Sequence, residues 1–96
     1  FEKYTRNTLD ISSTLAVQEL SHLPIIIDPS HAAGRWEMIE KFSLASLAVG
    51  AHGIMVEVHH DPEHALSDGA QSLKPEKYAH LVTEIKKVAK VLGKTI

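Results

Sequence analysis

The chain has 96 residues, room for one small domain and too few for two. Its formal net charge is −2 with the two signs well mixed, so it has no electrostatic footprint for nucleic acid or an anionic membrane, and no apolar run approaches the ~18 residues of a membrane span. The absence of cysteine excludes a disulfide framework and a thiolate metal site built from this chain alone and leaves the redox compartment undetermined, while 44% apolar and 23% charged residues is the balance of an ordinary soluble globular protein. The chain begins at Phe1 with no signal-peptide pattern after it, and is expected to be a piece of something longer.

In chain order, "SSTLAVQEL" (12–20) predicts a short helix capped by Ser12 or Ser13, with Glu19 near its end. "LPIIID" (23–28) is a β-branched run after a proline and predicts a buried strand. "GRWEMIEKFSLASLAVGAHG" (34–53) predicts a helix. In it Trp36, Ile39, Phe42 or Ser43, Leu44, Leu47 and Ala48 approximate a 3.6-residue period, and Gly50 is the stop. "GIMVEV" (53–58) reads as a second apolar strand. The clearest helix is "KPEKYAHLVTEIKKVAKVLGK" (74–94), with Pro75 in its first turn. Tyr78, Leu81, Val82, Ile85, Val88 and Leu92 form its stripe, Lys86, Lys87 and Lys90 crowd its C-terminal half, and Gly93 ends it.

Continuous apolar strands alternating with amphipathic helices imply an α/β fold with parallel strands and right-handed crossovers. Two such strands leave apolar edges exposed and do not make a self-sufficient sheet. Part of a (β/α)₈ barrel, which takes ~250 residues when complete, fits the pattern.

In such folds functional residues gather where strands end. Those places are "DPSHAAGR" (28–35) and "EVHHDPEHALSDG" (57–69), both rich in His, Asp and Glu. If the strands run parallel, His31, Glu57 and Asp68 converge on one face, and one imidazole with two carboxylates suits a divalent cation. Each also has a plainer reading: His31 as a loop histidine capping the helix that begins near Arg35, Glu57 as solvated or paired with Arg35, and Asp68 as an Asx-turn residue with Gly69 supplying a positive φ. Glu57, inside an apolar strand, argues most strongly for a cation, because a buried charge is costly unless paired. His59 lies two residues on and shares its strand face if the strand persists, which makes it a candidate either to support a ligand from behind or to act as a general acid or base. His22, His52, His60, His64 and His80 read as surface or loop residues. Arg6 and Arg35 are candidate anion binders, with surface salt bridging as the alternative, and Trp36 and Phe42 read as packing between helix and barrel.

Four stretches in order, "TRNTLDIS" (5–12), "SHLPIIIDPSHAAGR" (21–35), "GAHGIMVEVH" (50–59) and "ALSDGAQSL" (65–73), resemble the C-terminal part of 3-deoxy-D-arabino-heptulosonate 7-phosphate (DAHP) synthase. The match is to the short type I subgroup, which is grouped with the 3-deoxy-D-manno-octulosonate 8-phosphate synthases. The resemblance covers nearly the whole chain, and the set in order is highly specific.

It implies that residues 1–96 are the C-terminal segment of a single (β/α)₈ barrel domain, carrying strands seven and eight with their flanking helices. It also implies a divalent metal (Mn²⁺, Fe²⁺, Zn²⁺ or similar) held by a cysteine, a histidine, a glutamate and an aspartate. The last three match His31 of "DPSH", Glu57 of "VEVH" and Asp68 of "LSDG", and the cysteine belongs to an early strand absent here. The implied reaction is an aldol-type condensation of phosphoenolpyruvate with erythrose 4-phosphate, releasing phosphate, the first step of the shikimate pathway. Asp68 would also touch the sugar. In that reaction His59 is a candidate to move protons on the strength of its side of the strand alone, and Arg35 and Arg6 are candidates to bind the substrate anions because guanidinium groups suit phosphate. A cytoplasmic homo-oligomer, dimer or tetramer, is implied for the complete enzyme, and the segment alone is expected to be inactive.

The sequence departs from the family pattern at two places. His60 replaces the usual proline after "VEVH", and Trp36 in "GRW" replaces one of two arginines. "DGAQSL" (68–73) favours the seven-carbon product over the octulosonate made from arabinose 5-phosphate. A non-catalytic barrel segment is the remaining alternative.

Overall fold

A computed structural model describes residues 11–65 and 69–96. The first helix, α1 (Ser12–Leu20), begins without a side-chain cap: Ile11 holds the cap position, and both serines expected there lie inside the helix. Gln18 ties α1 to the rest of the chain by donating its side-chain amide to the Gly50 carbonyl at 2.7 Å.

Strand β1 is only Ile26–Ile27, shorter than the 23–28 expected. Pro24 has no N–H to give a ladder, and at Asp28 the chain turns directly into a helix. That helix, α2 (Pro29–Ala33), occupies a stretch read from sequence as loop. The Asp28 carboxylate accepts the His31 backbone N–H at 3.0 Å, Pro29 stands at the first helical position, and Gly34 closes the end at φ 67°. An aspartate cap, a proline start and a left-handed glycine are the local signals of a helix with two ends and almost no middle.

A 3₁₀ turn at Trp36–Met38 leads into α3 (Ile39–Ala48). Its buried residues are Ile39, Ser43, Ser46 and Leu47, one helical stripe that takes Ser43, the alternative to Phe42, and adds Ser46, which was not expected in it. Trp36 is 42% exposed and does not pack into the core; Lys77 Nζ lies 5.7 Å from its ring centroid.

Strand β2 (Gly53–Ile54) runs parallel to β1, pairing Ile26 with Gly53 and Ile27 with Ile54. His52, read from sequence as a plain surface residue, helps hold this pair: its backbone N–H donates to the Ile25 carbonyl at 2.8 Å and its Nδ1 accepts the Ile25 N–H at 3.1 Å. Beyond Met55 the chain changes partner. Val58 forms a parallel bridge with Leu73, with Leu73 N–H donating to the Glu57 carbonyl at 2.8 Å and His59 N–H to the Leu73 carbonyl at 2.9 Å. The strand expected over 53–58 is therefore two short pairings in succession.

The last helix, α4 (Pro75–Val91), begins at its proline as expected. Leu81 and Ala89 are buried, and Ile85 packs beside the cluster of Ile39, Leu73 and Leu81, with Val56 closing it from the strand side. Tyr78 and Leu92, assigned to the same stripe from sequence, are exposed. His80 Nε2 reaches Glu40 Oε1 at 3.2 Å across α3 and α4.

The core thus covers one side of the strands. On the other side Ile26 is 63% and Met55 54% exposed, and alternation along an extended chain puts Met55, Glu57 and His59 on that side together. The two-stranded sheet is open and does not close a barrel. Among the described residues no helix is long and apolar enough to cross a membrane.

Candidate functional site

Parallel pairing brings the segments that follow β1 and β2 to the same end of the sheet. From the first comes His31, one turn into α2. Its Nδ1 lies 2.5 Å from Asp28 Oδ2, so the residue that caps the helix also orients the ring. From the second comes Glu57, whose Oε1 stands 2.9 Å from His31 Nε2. Gln71, 2% exposed in a 3₁₀ turn (Gly69–Gln71), donates its amide to the same Oε1 at 3.0 Å. Ser30, fully buried on α2, accepts the Glu57 backbone N–H on its hydroxyl at 2.9 Å.

Glu57 is thus half-buried and partnered, and its side-chain partners are His31 and Gln71 and not Arg35, the pairing considered from sequence. Nor does His31 cap the helix near Arg35: it belongs to α2, which Asp28 caps. Arg35 is exposed, in extended backbone between Gly34 and the 3₁₀ turn.

His59 has its Nδ1 taken by the Asp61 backbone N–H at 2.9 Å, and its ring stacks on His60 with centroids 4.8 Å apart. His64 pairs with Asp61 at 2.7 Å on the exposed loop. Asp68 and Arg6 lie outside the described residues. Gly69 serves its turn by size and is not among the positive-φ glycines of the described residues: a Cβ there would overlap the Pro62 carbonyl oxygen.

Both ring nitrogens of His31 face carboxylate oxygens, and an ionised carboxylate only accepts. With the Nδ1 proton given to Asp28, Nε2 meets Glu57 through a second proton or through a cation that both ligate. A carboxylate behind the imidazole is the usual support of a metal-binding histidine. The spacing also fits: two ligands about 2.1 Å from one ion stand about 3 Å apart at adjacent corners of an octahedron and about 3.4 Å apart in a tetrahedron. His31 and Glu57 therefore fit as two donors to a divalent metal. Among the described residues no group of three or more His, Cys, Asp or Glu is placed to hold one.

Sequence reasoning passed over Asp28, Ser30 and Gln71. "DPS" carried a signal in its aspartate-proline cap; nothing local to Ser30 or Gln71 points to Glu57.

The family model described as "DAHP synthetase I family" matches residues 1–92. The chain belongs to the DAHP synthetase I family. It is 58% identical over 93 residues to a phospho-2-dehydro-3-deoxyheptonate aldolase of Thermotoga maritima, covering 97% of this chain and 28% of that one. It is 33% identical over 96 residues to a 2-dehydro-3-deoxyphosphooctonate aldolase of Helicobacter pylori, covering 88% of this chain and 34% of that one. Among solved structures it superposes on a truncated form of 3-deoxy-D-arabino-heptulosonate 7-phosphate synthase from Thermotoga maritima with a TM-score of 0.96 and 57% identity, over 99% of this chain and 36% of that one. The chain thus spans about a third or less of the length of these relatives.

Proposed function

We propose that this chain is the strand-seven and strand-eight segment of a (β/α)₈ barrel that condenses phosphoenolpyruvate with erythrose 4-phosphate, and that it acts only within the completed barrel. The observation that carries the reading is the approach of His31 Nε2 to Glu57 Oε1 at 2.9 Å, with Nδ1 set on Asp28. Family membership supports the class of reaction. Identity of 58% to the heptonate aldolase against 33% to the octonate aldolase supports the four-carbon sugar as substrate. The uncovered Ile26 and Met55 support the need for further strands, since that side of the sheet has no core of its own.

In this reading C3 of phosphoenolpyruvate bonds to the aldehyde carbon of erythrose 4-phosphate, water adds at C2, and inorganic phosphate leaves. His31, Glu57 and Asp68 hold a divalent metal, which when bound supplies Lewis-acid polarisation of the aldehyde. Asp28 fixes the tautomer and direction of His31. His59, with Nδ1 occupied by the Asp61 N–H, holds or passes a proton at Nε2. Arg35 and Arg6 contact substrate anions, and Asp68 touches the sugar hydroxyl next to the reacting carbon.

The test is phosphate release from phosphoenolpyruvate with Mn²⁺, in the full-length protein carrying this sequence and in the 96-residue chain. Release by the full-length protein with erythrose 4-phosphate alone is expected, with the short chain silent. Release with arabinose 5-phosphate alone would reassign the substrate, and silence with both sugars from a folded, metal-loaded protein would sink the reading.

A further inference from the structure

Glu57 is held at four points, and three are explained by what surrounds it: Ser30 and Leu73 fix its backbone, and His31 is its partner in the site. The fourth contact is less easily explained. Gln71 is a buried glutamine, 14 residues away in sequence, whose amide reaches the same carboxylate oxygen that faces His31. Burying a primary amide is unfavourable unless its groups are used, and here one N–H is spent on a half-buried carboxylate.

We infer that Gln71 is a positioning residue for the metal ligand Glu57, its amide holding Oε1 beside His31 Nε2 so that the two donors stand at ligand spacing before a cation arrives. The inference rests on the metal-binding reading of His31 and Glu57 given above. A free carboxylate rotates about its last torsion, a broad and soft one, and each rotation moves Oε1 away from the imidazole. A second contact on Oε1, from Gln71 as well as His31, resists that rotation. The donor's neutrality matters too. An ammonium or guanidinium at this position would neutralise Glu57 and compete with the cation, whereas an amide orients the oxygen and leaves its charge for the metal.

Backbone geometry makes the arrangement rigid. Leu73 N–H donates to the Glu57 carbonyl and His59 N–H to the Leu73 carbonyl, so the segment carrying Gln71 is laced to the segment carrying Glu57 two residues further on. The pair is therefore built into the sheet extension and does not depend on a chance meeting of two side chains.

The test uses the full-length protein and Mn²⁺ as the probe, with Glu57→Gln as the reference. Gln71→Met keeps the volume and removes the donor. It is expected to raise the Mn²⁺ dissociation constant about 10- to 100-fold, the range typical of lost outer partners of metal ligands. It should also change the visible absorption spectrum of the Co²⁺-loaded protein while leaving the metal-free melting temperature close to wild type. In wild type, the Gln71 side-chain amide resonances should shift on adding Zn²⁺ and broaden away on adding Mn²⁺, a measurement that does not depend on any variant folding. Wild-type Mn²⁺ affinity and an unchanged Co²⁺ spectrum in Gln71→Met, or amide resonances indifferent to metal, would overturn the role of Gln71 while leaving the metal site intact. Failure of wild type to bind Mn²⁺, or full binding by Glu57→Gln, would remove the metal reading and this inference with it.

Discussion

Ser30 Oγ accepts the Glu57 backbone N–H at 2.9 Å, joining two segments 27 residues apart. This hydrogen bond ties the backbone of Glu57, beyond β2, directly to the helix that carries His31. Ser30→Ala leaves that N–H without its acceptor, at a cost of about 1–3 kcal/mol. A lower melting temperature in the full-length protein, together with weaker Mn²⁺ binding, is the expected result. Unchanged metal affinity would mean that Glu57 is placed by Leu73 and its side-chain partners without help from Ser30.

His59 offers a separation of roles. Asparagine can retain an acceptor near the Nδ1 position for the Asp61 N–H while removing the nitrogen that would carry a proton. We expect His59→Asn to lower kcat by about 10²-fold or more, in line with loss of a general acid or base, with Mn²⁺ affinity unchanged. Full turnover would take His59 out of the chemistry.

Gly69 has no room for a side chain, because a Cβ would run into the Pro62 carbonyl, and backbone cannot swing aside as a long side chain can. Gly69→Ala must separate the turn at Pro62–His64 from the turn at Gly69–Gln71. Since Gln71 rides on the second turn, weaker Mn²⁺ binding is expected along with a lower melting temperature. A variant that melts and binds as wild type would show that the two turns part without cost.

Ser43 runs the other way. Among the described residues its hydroxyl is a buried polar atom with no hydrogen-bond partner, and such a group carries its desolvation penalty uncompensated. Ser43→Ala should stabilise the full-length protein by about 1 kcal/mol, read as a higher midpoint in denaturant. A loss of stability would show that the oxygen's packing contacts outweigh that penalty.

Lys87 Nζ donates to Glu84 Oε2 at 2.8 Å on α4, and that hydrogen bond holds the Glu84 carboxyl below its usual range and the Lys87 ammonium above its own. A carboxyl lowered on folding contributes stability above its unfolded titration range and loses it as pH falls through the folded value. For a pair at the surface, with Lys87 exposed and Glu84 partly so, the contribution is small. Lys87→Ala should move the Glu84 titration upward by NMR with little change in melting temperature at neutral pH. A Glu84 titration that stays in place would assign the shift to another neighbour.

The helices α1, α3 and α4 were legible because each declares itself within its own turns: Pro75 opens α4, and the spacing of Ile39 and Leu47 marks the inner face of α3. Parallel strands were legible from two apolar runs separated by a helix, and the pairing of Ile26 with Gly53 bears that out. The strand lengths were not. A strand ends where its partner ends, and the partner of residues 57–59 is Leu73 instead of β1. Trp36 was misplaced because an aromatic ring at helical spacing reads the same whether it faces a core or a lysine.

The sequence by itself determined the family, the order of elements and the two segments where acidic and histidine residues collect, because these are properties of residue type and short-range period. Only the tertiary structure decided how Glu57 is held. Asp28 orients the His31 ring through a cap that sequence could hint at, but Ser30 and Gln71 reach Glu57 across 27 and 14 residues. A serine or a glutamine has no preferred partner until packing removes the water that would otherwise satisfy it.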